Sequence, residues 1–281
     1  MSLLSLGVLS GVLVGLVLGV IGSGGSILAV PLLLYVVGVR SPHVAIGTSA
    51  VAVALSAALN LLLHAQAGTV KWSCAALFAL AGVAGAWIGS SLGKAMEGQL
   101  LLVLFGLIML VIGIVTLRRR ARVGRPDVQL NRESFGHLGP RLLASGFLVG
   151  GVSGFFGIGG GFLTVPSLLF ATDMPIGNAI GSSLLAVCAF GVTTALNYAR
   201  SGLVDWPLAA AFVAGGLAGG VAGTRLAVSW SRRRGVLSTV FAGVVIAVGL
   251  YVISRGAMAL LGSPSLAEQP AVHEPTVHRE R

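Results

Sequence analysis

The 281-residue chain is 56% hydrophobic, carries charge on only 9% of its positions and has a mean hydropathy of +0.97. Soluble domains carry charge on roughly a quarter of their residues, so the composition excludes a water-soluble fold and makes this an all-α polytopic membrane protein. The net charge of +10 sits largely in "RRRARVGRPDVQLNR" (118–132) and "SRRR" (231–234). Both runs abut apolar stretches, where basic residues hold loops on the cytoplasmic side. They lack the interleaved aromatics and folded basic face of a nucleic-acid binder, so no nucleic-acid partner is expected.

Ten apolar stretches follow in chain order: 3–21, 26–38, 44–65, 72–93 and 98–117, then 142–157, 161–171, 176–198, 206–228 and 235–254. The first has no basic residue before it, the earliest being Arg40, so it reads as a retained helix rather than a cleaved leader. The second stretch of each set is short. The 13 residues of the first reach about 20 Å as helix and the second reaches less, against a hydrocarbon core of about 30 Å. These pieces read as half-helices or as the returning arms of re-entrant hairpins. The count is about eight transmembrane helices plus short broken or re-entrant ones. Residues 118–141 form a basic linker expected in the cytoplasm, and 256–281 a polar, disordered tail. The organisation is thus a first membrane repeat (1–117), the linker, a second repeat (142–255) and the tail.

The two sets are copies of one another. "GVIGSGGSILAVP" (19–31) returns as "GFFGIGGGFLTVP" (154–166), and "AIGTS" (45–49) as "AIGSS" (179–183). Gly68 and Trp72 match Gly202 and Trp206, and Gly82, Gly85 and Gly89 match Gly216, Gly219 and Gly223. Glycine, proline and tryptophan held in one register mark a duplicated unit. A re-entrant hairpin with three crossings, or five crossings, gives an odd number per half. Odd halves are inverted, which also puts Lys71, Arg225 and "SRRR" on the side of the linker, as the positive-inside tendency favours.

The broken segments are the candidate site. Backbone that leaves the helix inside hydrocarbon must be satisfied by protein or by a water-lined cavity. A helix that restarts there presents unpaired N–H groups and the positive end of its dipole, an anion site needing no arginine. The candidate substrate-binding residues are Gly22, Ser23, Gly24, Gly25 and Ser26 in the first half and Gly157, Gly159, Gly160 and Gly161 in the second. The hydroxyl pairs Thr48–Ser49 and Ser182–Ser183 join them. The competing structural reading makes the glycines close helix contacts and the hydroxyls back-bonded to the preceding turn. Gly11, outside the break, is expected to tolerate alanine.

His64 aligns with Tyr198 and is the candidate for proton coupling. Cys74 and Cys188 lie in unrelated apolar stretches and suggest neither a disulfide framework nor a metal site, and no cofactor motif is visible. "GVSG" (151–154) raises an intramembrane serine protease with Ser153 as nucleophile, which needs a base within hydrogen-bond reach. The same apolar, glycine-rich pattern is compatible with an anion channel or a non-transporting membrane scaffold.

The repeated "GxxGxGG…P" phrase, the "AIG[TS]S" motifs and the "G…W" pairs at 68–72 and 202–206 together resemble the TauE/SafE sulfite exporter family of membrane permeases. The resemblance covers both halves, residues 7 to 255. It implies a non-enzymatic, multi-pass permease of the cell membrane that moves small, typically sulfur-containing anions such as sulfite, sulfoacetate or other organosulfonates. Transport would be secondary or facilitated. The lipid bilayer and the anion are the implied partners, and a homo-oligomer is compatible with the pattern.

Overall fold

A computed structural model describes residues 3–21, 23–118, 132–229 and 234–262. Among them every regular element is a helix. The first half contains α1 (Leu3–Ile21), a short arm built around α2 (Ala29–Pro31), α3 (Pro42–Gln66), α4 (Trp72–Ala95) and α5 (Gly98–Arg118). The second contains α6 (Arg132–Phe156), α7 (Gly161–Thr172), α8 (Ile176–Ala199), α9 (Trp206–Ser229) and α10 (Arg234–Gly262). Residues 119–131 of the predicted linker, the triple arginine up to Arg233 and the tail from 263 lie outside the described residues. Helix α6 starts ten residues ahead of the predicted stretch (Arg132 against 142), because a helix closes its own backbone hydrogen bonds whether or not its side chains are apolar. Helix α10 continues to Gly262 through "AMALL", a run of good helix formers.

Among the described residues five helices are long and apolar enough to cross a membrane: Pro42–Gln66, Trp72–Ala95, Gly98–Val115, Ile176–Ala199 and Trp206–Gly223. Shorter apolar helices cover Leu3–Leu18, Gly25–Val37, Gly161–Thr172 and Ala242–Met258. The outer surface carries Leu80, Leu148, Phe170 and Trp206 well exposed, side chains that only lipid accommodates in such number.

The short arms depart from simple half-helices in different ways. The first is a tight 3₁₀ segment (Ser23–Leu28), α2, and then a widened π segment (Leu32–Val37) closed by Gly38 at φ +86°. Pro31 lacks the N–H that an α-helical ladder would use, and the winding changes register just after it. In the second arm the equivalent Pro166 sits inside a regular α-helix, closed by Asp173 in a left-handed conformation. At 12 residues α7 spans about 18 Å. Its far end (Leu168, Ala171 and the following Met174) packs into one cluster with Leu142 and Val149 of α6.

The halves interlock. α1 packs on α9 and α4 on α6, so each half lends its first helix to the other half's fourth. The seams are glycine against backbone. A β-carbon on Gly15 would strike the Gly216 carbonyl, one on Gly219 the Val12 carbonyl, one on Gly89 the Gly151 carbonyl and one on Gly150 the Gly82 carbonyl. Small residues at four-residue spacing are what permit such an approach. In both seams the helices run parallel: Gly7 meets Leu208 while Gly223 meets Leu16, and Gly146 meets Phe78 while Gly93 meets Phe155. At the centre α3 runs antiparallel to α8, with Gly47 against Leu203 and Gly181 against Thr69. Helix α5 likewise runs antiparallel to α10, with Gly106 against Gly249 and Gly256 against Val103. These pairings map onto themselves when the halves are exchanged. The α3 and α8 spans are the most enclosed, at 59% and 61% buried against 33% for that of α5.

Gly11 corrects the expectation of tolerance. Its missing side chain faces Phe212 and Gly216 of α9, with the Gly216 amide nitrogen 3.0 Å from where a β-carbon would stand. Gly11→Ala therefore destabilises the protein by about 1–3 kcal/mol through forced separation of the seam, more than the roughly 1 kcal/mol that alanine gains in helix propensity. Gly177→Ala, with open space around it, leaves stability unchanged or slightly higher. Thermal unfolding in detergent separates the two, and an unchanged midpoint for Gly11→Ala contradicts the seam.

Candidate substrate site at two chain breaks

The second break is built from Gly157, Ile158, Gly159 and Gly160, all buried. The three glycines have φ of +67°, +65° and +67°, a left-handed backbone that side chains with a β-carbon adopt only under strain. The turn is closed by Ile158 N–H to the Ser153 carbonyl at 3.2 Å, and α7 starts as Leu163 and Thr164 N–H both donate to the Gly160 carbonyl at 3.0 and 2.8 Å. The Thr164 hydroxyl donates to the same oxygen at 2.7 Å.

Both halves wall this break. A β-carbon on Gly157 would run into Ile46 of α3, and one on Gly159 would meet Val53 of α3 and Val187 of α8. The Ser49 hydroxyl, which donates to the Ile46 carbonyl at 2.9 Å, lies 3.4 Å from the Gly157 carbonyl oxygen. A β-carbon on Gly160 would fall 2.8 Å from Ser153 Cβ and 2.9 Å from Ser153 Oγ.

The first break is made differently. Gly25 is buried with no left-handed φ, and a β-carbon there would lie 2.6 Å from the Leu18 amide nitrogen and 3.0 Å from Leu18 Cγ. Ser26 is fully buried. Gly22 lies outside the described residues, as do the surroundings of Ser23 and Gly24, whose backbone forms the 3₁₀ segment. That segment packs directly on α7 and α8, with Ile27, Ile158 and Phe162 in one apolar cluster. The two breaks thus stand side by side, and Gly161, which opens α7, belongs to the same place.

The hydroxyl pairs divide. Thr48 Oγ1 accepts from Asp205 N–H at 3.0 Å, and Ser182 Oγ accepts from Lys71 N–H at 2.8 Å. Asp205 and Lys71 are equivalent residues just ahead of α9 and α4, so one bond is repeated across the two halves. Ser49 and Ser183 bond back to the preceding turn, Ser183 to the Ile180 carbonyl at 2.7 Å. His64 is half-buried at the end of α3. Its Nδ1 lies 2.9 Å from Thr69 Oγ1, whose hydroxyl donates to the His64 carbonyl at 3.0 Å, so Nδ1 is the donor of that pair.

Three features escaped the sequence reading. Lys94 donates to the Asn197 carbonyl (3.0 Å), Asn197 Oδ1 (2.8 Å) and Ser201 Oγ (2.9 Å) and stands 5.9 Å from the Tyr198 ring centroid. Asn197 in turn donates to Ser90 and Ser91. This network ties α4 to α8 and has no counterpart in the repeat, so the duplication gave no signal for it. An apolar groove of about 360 Å³ between α4 and α6, lined by Ile88, Leu92, Phe147 and Leu148, faces outward and offers an anion nothing. Ser153 Oγ, the would-be nucleophile, is buried with no hydrogen-bond partner among the described residues.

Residues 7–252 match the sulfite exporter TauE/SafE family. A "Probable membrane transporter protein" of Xylella fastidiosa (strain 9a5c) is 54% identical over 88% of this chain and 93% of its own length. The "Probable membrane transporter protein YunE" of Bacillus subtilis (strain 168) is 28% identical over 89% of this chain and 97% of its own. No solved structure matches.

Thr48→Val and Ser182→Ala each strand one backbone N–H and lower stability by about 1–2 kcal/mol. A double variant that unfolds no earlier than either single one shows that the two bonds are not independent supports of the halves.

Proposed function

The chain belongs to the sulfite exporter TauE/SafE family of membrane transporters, and from that membership and the paired breaks we propose that it is a permease for small sulfur-containing oxyanions. The anion is held between the two broken segments, by backbone N–H groups at the start of α7 and at the first arm. The single observation that carries this reading is the placement of the 3₁₀ segment of the first arm against α7, which brings two helix interruptions from opposite halves to one point. Helix starts favour anions through their free amides and dipole. A lysine or arginine buried there would be far more costly to keep in hydrocarbon.

The halves are inverted, a reading supported by the antiparallel pairing of α3 with α8 and of α5 with α10. The packing of the end of α7 beside Leu142 of α6 supports a re-entrant arm that returns along the helix before it. Inverted repeats with interrupted helices at the midplane are the architecture of alternating-access carriers, and close packing around both breaks favours a carrier over a channel. Thr48 and Ser182 hold the residues ahead of α9 and α4, Ser49 and Ser183 follow them in sequence, and His64 is the proton-coupling group in this reading. The protein resides in the cell's inner or plasma membrane, where the anion gradient is available to drive secondary transport. The orphaned hydroxyl of Ser153 gives no support to protease chemistry.

Gly25→Val and Gly160→Val each abolish transport of sulfite or short sulfonates in membrane vesicles while membrane abundance is retained. At Gly160 the backbone strain alone is roughly 1–3 kcal/mol. Normal flux through Gly160→Val at normal abundance removes the breaks from the transport site.

A further inference from the structure

We infer that Ser153 is a substrate-binding residue whose hydroxyl supplies a side-chain hydrogen bond to the anion at the second break; this rests on the anion-permease reading above. Three observations meet at this residue. Ser153 is fully buried, and its Oγ has no hydrogen-bond partner. It lies on the last turn of α6, and its own carbonyl closes the break through Ile158 N–H. Its Cβ and Oγ stand 2.8 and 2.9 Å from the point where a β-carbon on Gly160 would be, so the side chain lies against the residue that caps the twelve-residue helix α7.

A buried hydroxyl without a partner is a standing loss of hydrogen bonding that calls for an explanation, and at Ser153 the adjoining break supplies one. The ligand that satisfies it must accept a hydrogen bond and must suit the start of α7, whose dipole favours negative charge. An oxyanion meets both conditions, offering an acceptor oxygen to the hydroxyl.

The hydroxyl also makes the site one-sided. The equivalent of Ser153 in the first half is Leu18, and Leu18 is the residue against which Gly25 packs. Each break thus sets one side chain against its glycine, a hydroxyl in the second half and an isobutyl group in the first. The anionic oxygens are held on the side of α6 and α7, and the Leu18 side meets the less polar part of the substrate.

Binding of sulfite, sulfate and methanesulfonate to the purified full-length protein in detergent, followed by calorimetry and thermal unfolding, tests this. Ser153→Ala lowers the affinity for the bound anion roughly 10- to 100-fold, the worth of one hydrogen bond to a charged group, and leaves the unfolding midpoint of the empty protein unchanged or higher. Ser153→Cys, close in volume but a weak donor, shows the same loss. Ser10, another fully buried serine without a partner but on α1 away from the break, is the control, and Ser10→Ala binds as the wild type does. Wild-type affinity in Ser153→Ala overturns the assignment and leaves the anion reading standing. Failure of the unsubstituted protein to bind any of the three anions overturns both.

Discussion

Helices α1 and α9, and α4 and α6, lie close enough that only glycine fits between their backbones. Everything else in the molecule depends on that approach. Because each seam joins a first helix of one half to a fourth helix of the other, the halves hold one another and neither is a free-standing unit. The seams also fix where α6 and α1 stop, and so where the chain leaves its helices. Backbone that leaves a helix in hydrocarbon survives only when enclosed. Here α3, α6 and α8 surround the second break while α1 and α7 flank the first, an enclosure that a looser bundle would open to lipid.

The duplicated phrase was legible because glycine and proline in apolar sequence are hard to place by chance, and it located both interruptions and the short helix after each. The order of ten stretches carried over with shifts at the ends of α6 and α10, where polar or weakly apolar residues continue a helix that hydropathy alone ends. What the sequence hid was contact across the halves. Gly11 looked neutral because nothing local marks the Phe212 and Gly216 backbone opposite it. Thr48 and Ser182 read as lining for a substrate, yet their described partners are amides more than a hundred residues away. The Lys94 network was invisible for the opposite reason: it breaks the repeat, and only the repeat was informative. Similar motifs also conceal different backbones. The first arm winds through 3₁₀ and π segments while the second has three left-handed glycines and a regular helix.

These asymmetries bear on mechanism. A strictly symmetric pair of interruptions would hold an anion with no preferred orientation. Ser153 opposite Gly160 and Leu18 opposite Gly25 give the two sides different chemistry on an otherwise duplicated frame. The Lys94–Asn197 network ties α4 to α8 near the end of both helices. A carrier that alternates between two faces needs conformations close in free energy, and a duplicated frame supplies that near-equality.

The most direct test of the shared anion site is crystallography of the purified protein with selenite, whose selenium scatters anomalously and whose oxyanion mimics sulfite. The account predicts one anomalous peak between the start of α7 and the 3₁₀ segment of the first arm, within hydrogen-bonding reach of Ser153 Oγ. A peak at the Lys94–Asn197 network, with none at the breaks, contradicts it.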